Sequence, residues 1–165
     1  KVAPDLDDVA IRDIAEIAIS YGLDALIVSN TTLQRPSHLT SDNREEQGGL
    51  SGQPLFQIST HTLRLFAGAL NGRLPLIGVG GIENGLTALA KIKAGASAVQ
   101  FYSAMVFQGP GLVARILDEL DGLLTNAGMT GMNSGSQTDP RLYIIMDTPA
   151  PVEILGAVID ISTQG

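Results

Sequence analysis

Two short apolar runs in this sequence end on residues suited to cradling a phosphate. Leu74-Pro-Leu-Ile-Gly-Val runs into Gly80-Gly81, and Gly95-Ala-Ser-Ala-Val-Gln-Phe-Tyr runs into Ser103. Leu76 to Val79 lacks polar alternation, the pattern of a strand covered on both faces. A glycine pair at its end lets backbone come close to a ligand where a side chain would block it. Ala98 to Tyr102 reads as a second buried strand, leading straight into a helical start at Ser103. Two parallel strand ends of this kind present free N–H groups to an anion. A phosphate-cradling pair of βα units is the chemistry this stretch supports.

The elements that must position the cradle alternate along the chain. Lys1 to Pro4 reads as the end of a strand, and Asp7 or Asp8 can cap a helix whose inner face is Ile11, Ile14, Ala15 and Ala18. Gly22 stops that helix, and Asp24 to Ser29 is a strand leading to Asn30-Thr31-Thr32. A long connection from Leu33 to Gly52 follows, of the length used for functional lids or disordered segments. Pro54 suits a first helical position. Leu55, Ile58, Thr62, Leu65 and Ala69 predict the buried stripe of the next helix, which Asn71-Gly72 ends. After the strand at Leu76 come a helix near Leu86 to Lys93, the strand at Ala98, and a last helix carrying Val113, Ile116, Leu117, Leu120 and Leu124 up to Gly128. Four alternations argue for an α/β fold of parallel βα units, as a barrel or a doubly wound sheet. In a (β/α)8 barrel the loops after the last two strands commonly form a phosphate site.

From Met129 the texture changes. Gly131 to Pro140 is a Gly/Ser/Asn-rich linker, and Leu142 to Met146 and Val152 to Ile161 are short apolar runs around Pro149-Ala-Pro151. A hairpin or loose order is expected there, and no function attaches to it.

At 165 residues the chain is about one domain long, and 44% of it is hydrophobic, enough for a real core. The net charge of −7 argues against a nucleic-acid partner, which basic patches would serve. With no Cys there is no disulfide framework, thiolate metal site or Cys nucleophile, in keeping with a reducing compartment. No apolar run approaches the roughly 18 residues of a membrane span. A strand beginning at Lys1, with no Met and no signal-like segment, predicts an N-terminally truncated chain.

Five segments together resemble one family. Lys1-Val-Ala-Pro-Asp-Leu, Leu26-Ile-Val-Ser-Asn-Thr-Thr with Arg35-Pro36, the Gly-Gly-Leu-Ser-Gly of residues 48–52, Ile77-Gly-Val-Gly-Gly-Ile, and Gly95 to Ser103 resemble dihydroorotate dehydrogenase. The Asn-Thr-Thr and Gly-Gly-Leu-Ser-Gly forms are similar to the quinone-dependent, membrane-associated class 2. The resemblance covers residues 1–128, the C-terminal half of a (β/α)8 TIM barrel with about four βα units, and leaves 129–165 as an unmatched tail. It implies an FMN enzyme that oxidises dihydroorotate to orotate in pyrimidine biosynthesis and passes electrons to a quinone. The full-length enzyme would sit at a bacterial or mitochondrial inner membrane.

By the same resemblance Lys1 stands beside the flavin ring, and Ser29 supplies a flavin-contacting hydroxyl. Asn30 and Thr31 hydrogen-bond the orotate ring, while Gly52, Gly81, Tyr102 and Ser103 contact FMN, chiefly at its phosphate. The family's serine base, other asparagines, first flavin loop and N-terminal helices lie upstream of Lys1. The resemblance therefore assigns no catalytic base to this chain, which would need the missing N-terminal half or another half-barrel as its partner.

Plainer readings stand beside these. Lys1 can be a solvated terminus, and Asn30-Thr31-Thr32 ordinary turn chemistry. Ser103 can be a plain N-cap. His38 and His61 read as surface residues, with no metal-ligand spacing near either, and Asp42 to Glu46 as a solvated loop. A rival function is non-enzymatic: a truncated half-barrel that at most binds FMN or phosphate, or self-associates. A third is some other phosphate-binding barrel enzyme, against which the Asn-Thr-Thr and Gly-Gly-Leu-Ser-Gly segments weigh.

Overall fold

A computed structural model describes residues 1–126 and 143–146. Asp7 is extended, and its carboxylate accepts the Ala10 N–H at 2.8 Å, so helix α1 (Asp8–Ser20) begins there. Strand β1 (Leu26–Val28) follows, then α2 (Phe56–Leu70), β2 (Leu76–Val79), α3 (Gly85–Lys93), β3 (Ala98–Phe101), α4 (Ser103–Gln108), α5 (Leu112–Asn126) and β4 (Tyr143–Met146). The sheet order is β1-β2-β3-β4 with every pair parallel. Leu26 lies opposite Leu76, and Ile77 opposite Ala98. Helical crossovers are what parallel neighbours require. The stretch at Lys1 to Pro4 contributes a single parallel bridge, Val2 to Val28, beyond β1.

Two apolar clusters form the core. One joins Ile11, Ala15 and Ala18 of α1 to Leu63, Phe66 and Leu70 of α2 and to Leu26, Val28 and Leu76 of the sheet. The other joins Val99 and Phe101 of β3 to Ala88 of α3 and Leu112, Ile116 and Leu120 of α5. Because Val99 and Phe101 face that second cluster, strand alternation puts Ala98 and Gln100 on the opposite face.

The structure corrects several sequence expectations. In α2 the buried residues are Ser59, Thr60, Thr62, Leu63, Phe66 and Leu70, whereas Ile58, Leu65 and Ala69 are half-buried. Leu55 and Thr62 are buried as expected, Thr62 donating to Pro4 at 2.9 Å; the rest of the stripe is displaced, since Thr60 donates to Phe56 at 2.6 Å and Ser59 to Gly80 at 3.1 Å. A hydroxyl so bonded is buried at little penalty. Pro54 opens a 3-10 turn, Gln53–Leu55, ahead of α2. The last helix is two helices, parted at Gly109 (φ 77°) and Pro110. Tyr143–Met146 pairs in parallel with β3, while Gly128 and Val152 to Ile161 fall outside the described residues.

The long connection is stapled by one side chain. The Arg35 guanidinium donates to the carbonyls of Glu46 and Gly48 at 2.7 Å, of Arg44 at 3.0 Å, and of Leu33 and Gln34 at 3.2 Å. Five donors in a rigid fork fold the loop on its own backbone. At its base Thr32 and Leu50 exchange backbone hydrogen bonds, and Asp5 accepts from Thr32, Leu33 and Gln34. Phe66 is fully buried between α1, α2 and the sheet. Phe66→Ala should cost about 3–5 kcal/mol, read as a lower urea midpoint with an unchanged slope.

Candidate functional site

The C-terminal ends of β1, β2 and β3 open on one cavity of about 720 Å³. Its wall contains Lys1, Ser29, Asn30, Thr31, Gly52, Gly81, Tyr102 and Ser103. These are all eight residues that the resemblance named, drawn from five segments of the chain. Parallel strands alone bring their ends to a single edge, which is why ligands bind there in α/β folds.

Each segment is held from behind. Ser29 is 1% exposed; its N–H bonds the Val79 carbonyl at 3.3 Å and its hydroxyl donates to the Asn30 carbonyl at 2.9 Å. The peptide bond between Val28 and Ser29 is cis. Asn30 is fixed through its N–H to the Val2 carbonyl at 2.8 Å. Thr31 lies against Gly49, where a Cβ would come within 2.0 Å of the Thr31 hydroxyl. Gly49 is thus the residue that leaves Thr31 its place. Ser103 is the first residue of α4, not its cap; Tyr102 occupies that position, and the Ser103 hydroxyl donates to Ser51 at 3.1 Å.

The features suited to an anion are backbone ones. Gly80 and Gly81 take φ of 101° and 73°, values that L side chains rarely adopt. A Cβ on Gly81 would also stand 2.4 Å from that of Phe56. No side chain caps the turn at Gly52 or the start of α4 at Tyr102, so the first N–H groups there are not taken by a cap. His38 and His61 are exposed, and no group of three potential ligands that could hold a metal occurs among the described residues.

Three comparisons bear on this geometry. The dihydroorotate dehydrogenase family profile matches residues 1–124. The chain belongs to the dihydroorotate dehydrogenase family. It is 50% identical over 141 residues to a dihydroorotate dehydrogenase (quinone) of Xanthobacter autotrophicus, covering 86% of this chain and 40% of that protein. The mitochondrial dihydroorotate dehydrogenase (quinone) of Mus musculus is 46% identical, with 86% and 36% covered. A ligand-free structure of the Eimeria tenella enzyme superposes with a TM-score of 0.75 at 49% identity, over 77% of this chain and 35% of that one. This chain therefore has the fold of a segment of that barrel enzyme, and spans about 40% of the length of the curated relatives it matches.

Two buried side chains of the site escaped the sequence reading. Gln100 is 5% exposed, lines the cavity, and its Oε1 has no hydrogen-bond partner among the described residues. Lys91 is fully buried on α3; its amine donates to the Ser59 hydroxyl at 2.6 Å and the Val79 carbonyl at 3.2 Å, 5.3 Å from the centre of the Phe56 ring. Its stem lies over Gly78, where a Cβ would meet that of Lys91 at 3.2 Å. The available signal was a lysine three residues after Ala88, on the helix face that packs against a glycine-bearing strand. Burial, with a smaller contribution from Arg64, lowers the Lys91 pKa from 10.5 to about 7.

Between those pH values the unfolded chain holds a proton that the folded chain has released. Lys91 therefore makes stability rise as pH climbs from about 7 towards 10.5, and that gain is absent below about 7. The ceiling on this swing is roughly 5 kcal/mol. Urea unfolding from pH 6 to 10 should show the wild-type chain gaining on Lys91→Met as pH rises; parallel curves would refute it.

Proposed function

We propose that this chain forms half of the FMN and substrate site of a dihydroorotate-oxidising, quinone-reducing enzyme of pyrimidine biosynthesis. On this reading residues 1–128 are the C-terminal half of a (β/α)8 barrel, residues 129–165 follow it, and the other half is its partner. The observation that carries the reading is the convergence of eight residues from five segments on one cavity.

The residues present suit FMN. The cavity volume lies within the roughly 300–1,000 Å³ of small-molecule sites. The Gly80-Gly81 turn, the Gly52 turn and the start of α4 offer N–H groups to a phosphate. The unpaired Gln100 oxygen supplies an acceptor in a wall that is otherwise mostly apolar. FMN, when bound, supplies hydride acceptance. Lys1 places a cation at the wall, where it favours negative charge on the ring. Ser29, whose proton goes to the Asn30 carbonyl, turns lone pairs to a ligand and acts as an acceptor. Asn30 and Thr31 offer a carboxamide and a hydroxyl to the polar edges of orotate.

Quinone as acceptor is supported by the relatives' names, dihydroorotate dehydrogenase (quinone), one of them mitochondrial, and an inner-membrane location goes with that reading. No helix among the described residues is long and apolar enough to cross a membrane.

The chain incubated with FMN and desalted should retain a flavin absorbance band near 450 nm, and Gly81→Val should lose it together with part of its stability, read as a lower urea midpoint. A folded but colourless wild-type chain would overturn the flavin site proposed for this chain. In the full-length protein carrying this segment, Asn30→Ala should lower dihydroorotate turnover about 100-fold with flavin retained; unchanged turnover would remove Asn30 from the substrate site. Gly49→Ala should raise the KM for dihydroorotate several-fold through displaced Thr31, and an unaltered KM would refute that coupling.

A further inference from the structure

Lys91 lies directly behind the phosphate cradle. Its amine bonds the carbonyl of Val79 and, through the Ser59 hydroxyl, is linked to the carbonyl of Gly80. Val79 and Gly80 both line the cavity, so the amine sits one residue's thickness from the space a ligand would fill. Its acceptors are a hydroxyl and a carbonyl, and it has no carboxylate partner among the described residues.

The surrounding charges do not supply one. Arg64 on α2 opposes the ammonium form. Strand β2 offers only main-chain groups, and Lys93 on the same helix is exposed. Glu119 of α5 accepts the Gly85 N–H, and Glu83 belongs to the cavity wall. A buried ammonium is expensive without a counter-charge, and an anion on the far side of Gly80 would be that counter-charge.

We infer that Lys91 is a positioning residue with an electrostatic role. It holds the Gly80-Gly81 turn in shape and lends positive charge to a bound phosphate dianion, so that phosphate binding takes up a proton at Lys91. Linkage makes the effect reciprocal: the dianion favours the ammonium, and the ammonium favours the dianion. The burial that lowers the Lys91 pKa to about 7 leaves much of the amine neutral near pH 7.5 and ready to accept that proton. The inference rests on the proposed flavin site, since it takes the phosphate of FMN as the anion.

Titration calorimetry of the full 165-residue chain separates the two. FMN and riboflavin, which lacks the phosphate, are titrated at pH 7.5 in two buffers of different ionisation enthalpy. The FMN phosphate is then almost fully dianionic, since its second pKa is about 6. The expected result is uptake of about half a proton with FMN and essentially none with riboflavin. Lys91→Met should abolish the uptake and weaken FMN about tenfold, while shifting riboflavin affinity by less than twofold. A loss of both flavins in equal measure would mean a purely structural lysine and overturn the inference while leaving the flavin site standing. FMN binding without proton uptake in the wild type would overturn it also. Failure of the wild-type chain to bind either flavin would remove the flavin site, and this inference with it.

Discussion

The close approach of α2 to β2 is the constraint on which the rest of this structure depends. Where β2 ends, a Cβ on Gly81 would sit 2.4 Å from that of Phe56, and one on Gly78 would press on Leu63, Lys91 and Ala96. Removing those side chains lets the helix settle onto the strand. The same removal exposes backbone at the strand end, where a ligand can reach it. Packing and binding are thus served by one sequence feature, and neither could be altered alone. The helix then buries Ser59, whose hydroxyl grips the Gly80 carbonyl, so the packing also fixes the turn that faces the cavity.

Helix α3 carries the second half of this arrangement. Ala94 packs with the cluster under α1 and α2, while Ala88 packs with the cluster under α5. Lys91 lies between them on the same helix, fully buried. An apolar residue there would join the clusters and leave the Val79 carbonyl without its side-chain donor. The lysine instead trades desolvation for two hydrogen bonds and a ring contact. Groups whose pKa is moved this far by burial gather at functional sites, and this one is placed at the end of β2, where the cavity begins.

Much of the architecture was legible because its signals are local. Asp7 before an apolar 3.6 period, unbroken apolar runs at Leu26 and Leu76, and glycines closing each element set the α/β alternation. The site residues were legible through segments that resemble a known family, and the parallel topology then brings them to one edge. What escaped was non-local. Ser59 and Thr60 look like a solvent face until the carbonyls of Gly80 and Phe56 are in place to receive them. The Arg35 staple is equally hidden, since its acceptors are main-chain oxygens up to 13 residues away. The pairing of Tyr143–Met146 with β3 depends on an available sheet edge, which a linear reading of the tail does not display.

The chemistry within reach of this chain is that of orientation rather than proton abstraction. The Ser29 hydroxyl is committed to Asn30 and that of Ser103 to Ser51, so each meets a ligand with its lone pairs. Thr32, next to the substrate-side residues, spends its hydroxyl on Asp5 and anchors the stapled loop. Backbone N–H groups, the carboxamides of Asn30, Gln53, Gln100 and Gln108, the Glu83 carboxylate and the Lys1 cation belong to the rest of the polar wall. Such groups suit a flat, anionic, multiply hydrogen-bonding ligand such as the one proposed, and orientation is most of what a protein contributes when a cofactor carries the electron transfer. On the proposed reading the base would be supplied by the other half of the barrel. On this division of labour, substitutions in this chain alter affinity and alignment more than the intrinsic barrier. On the proposed reading a Brønsted-type dependence of rate on a side-chain pKa is expected of the other half of the barrel and not of this chain.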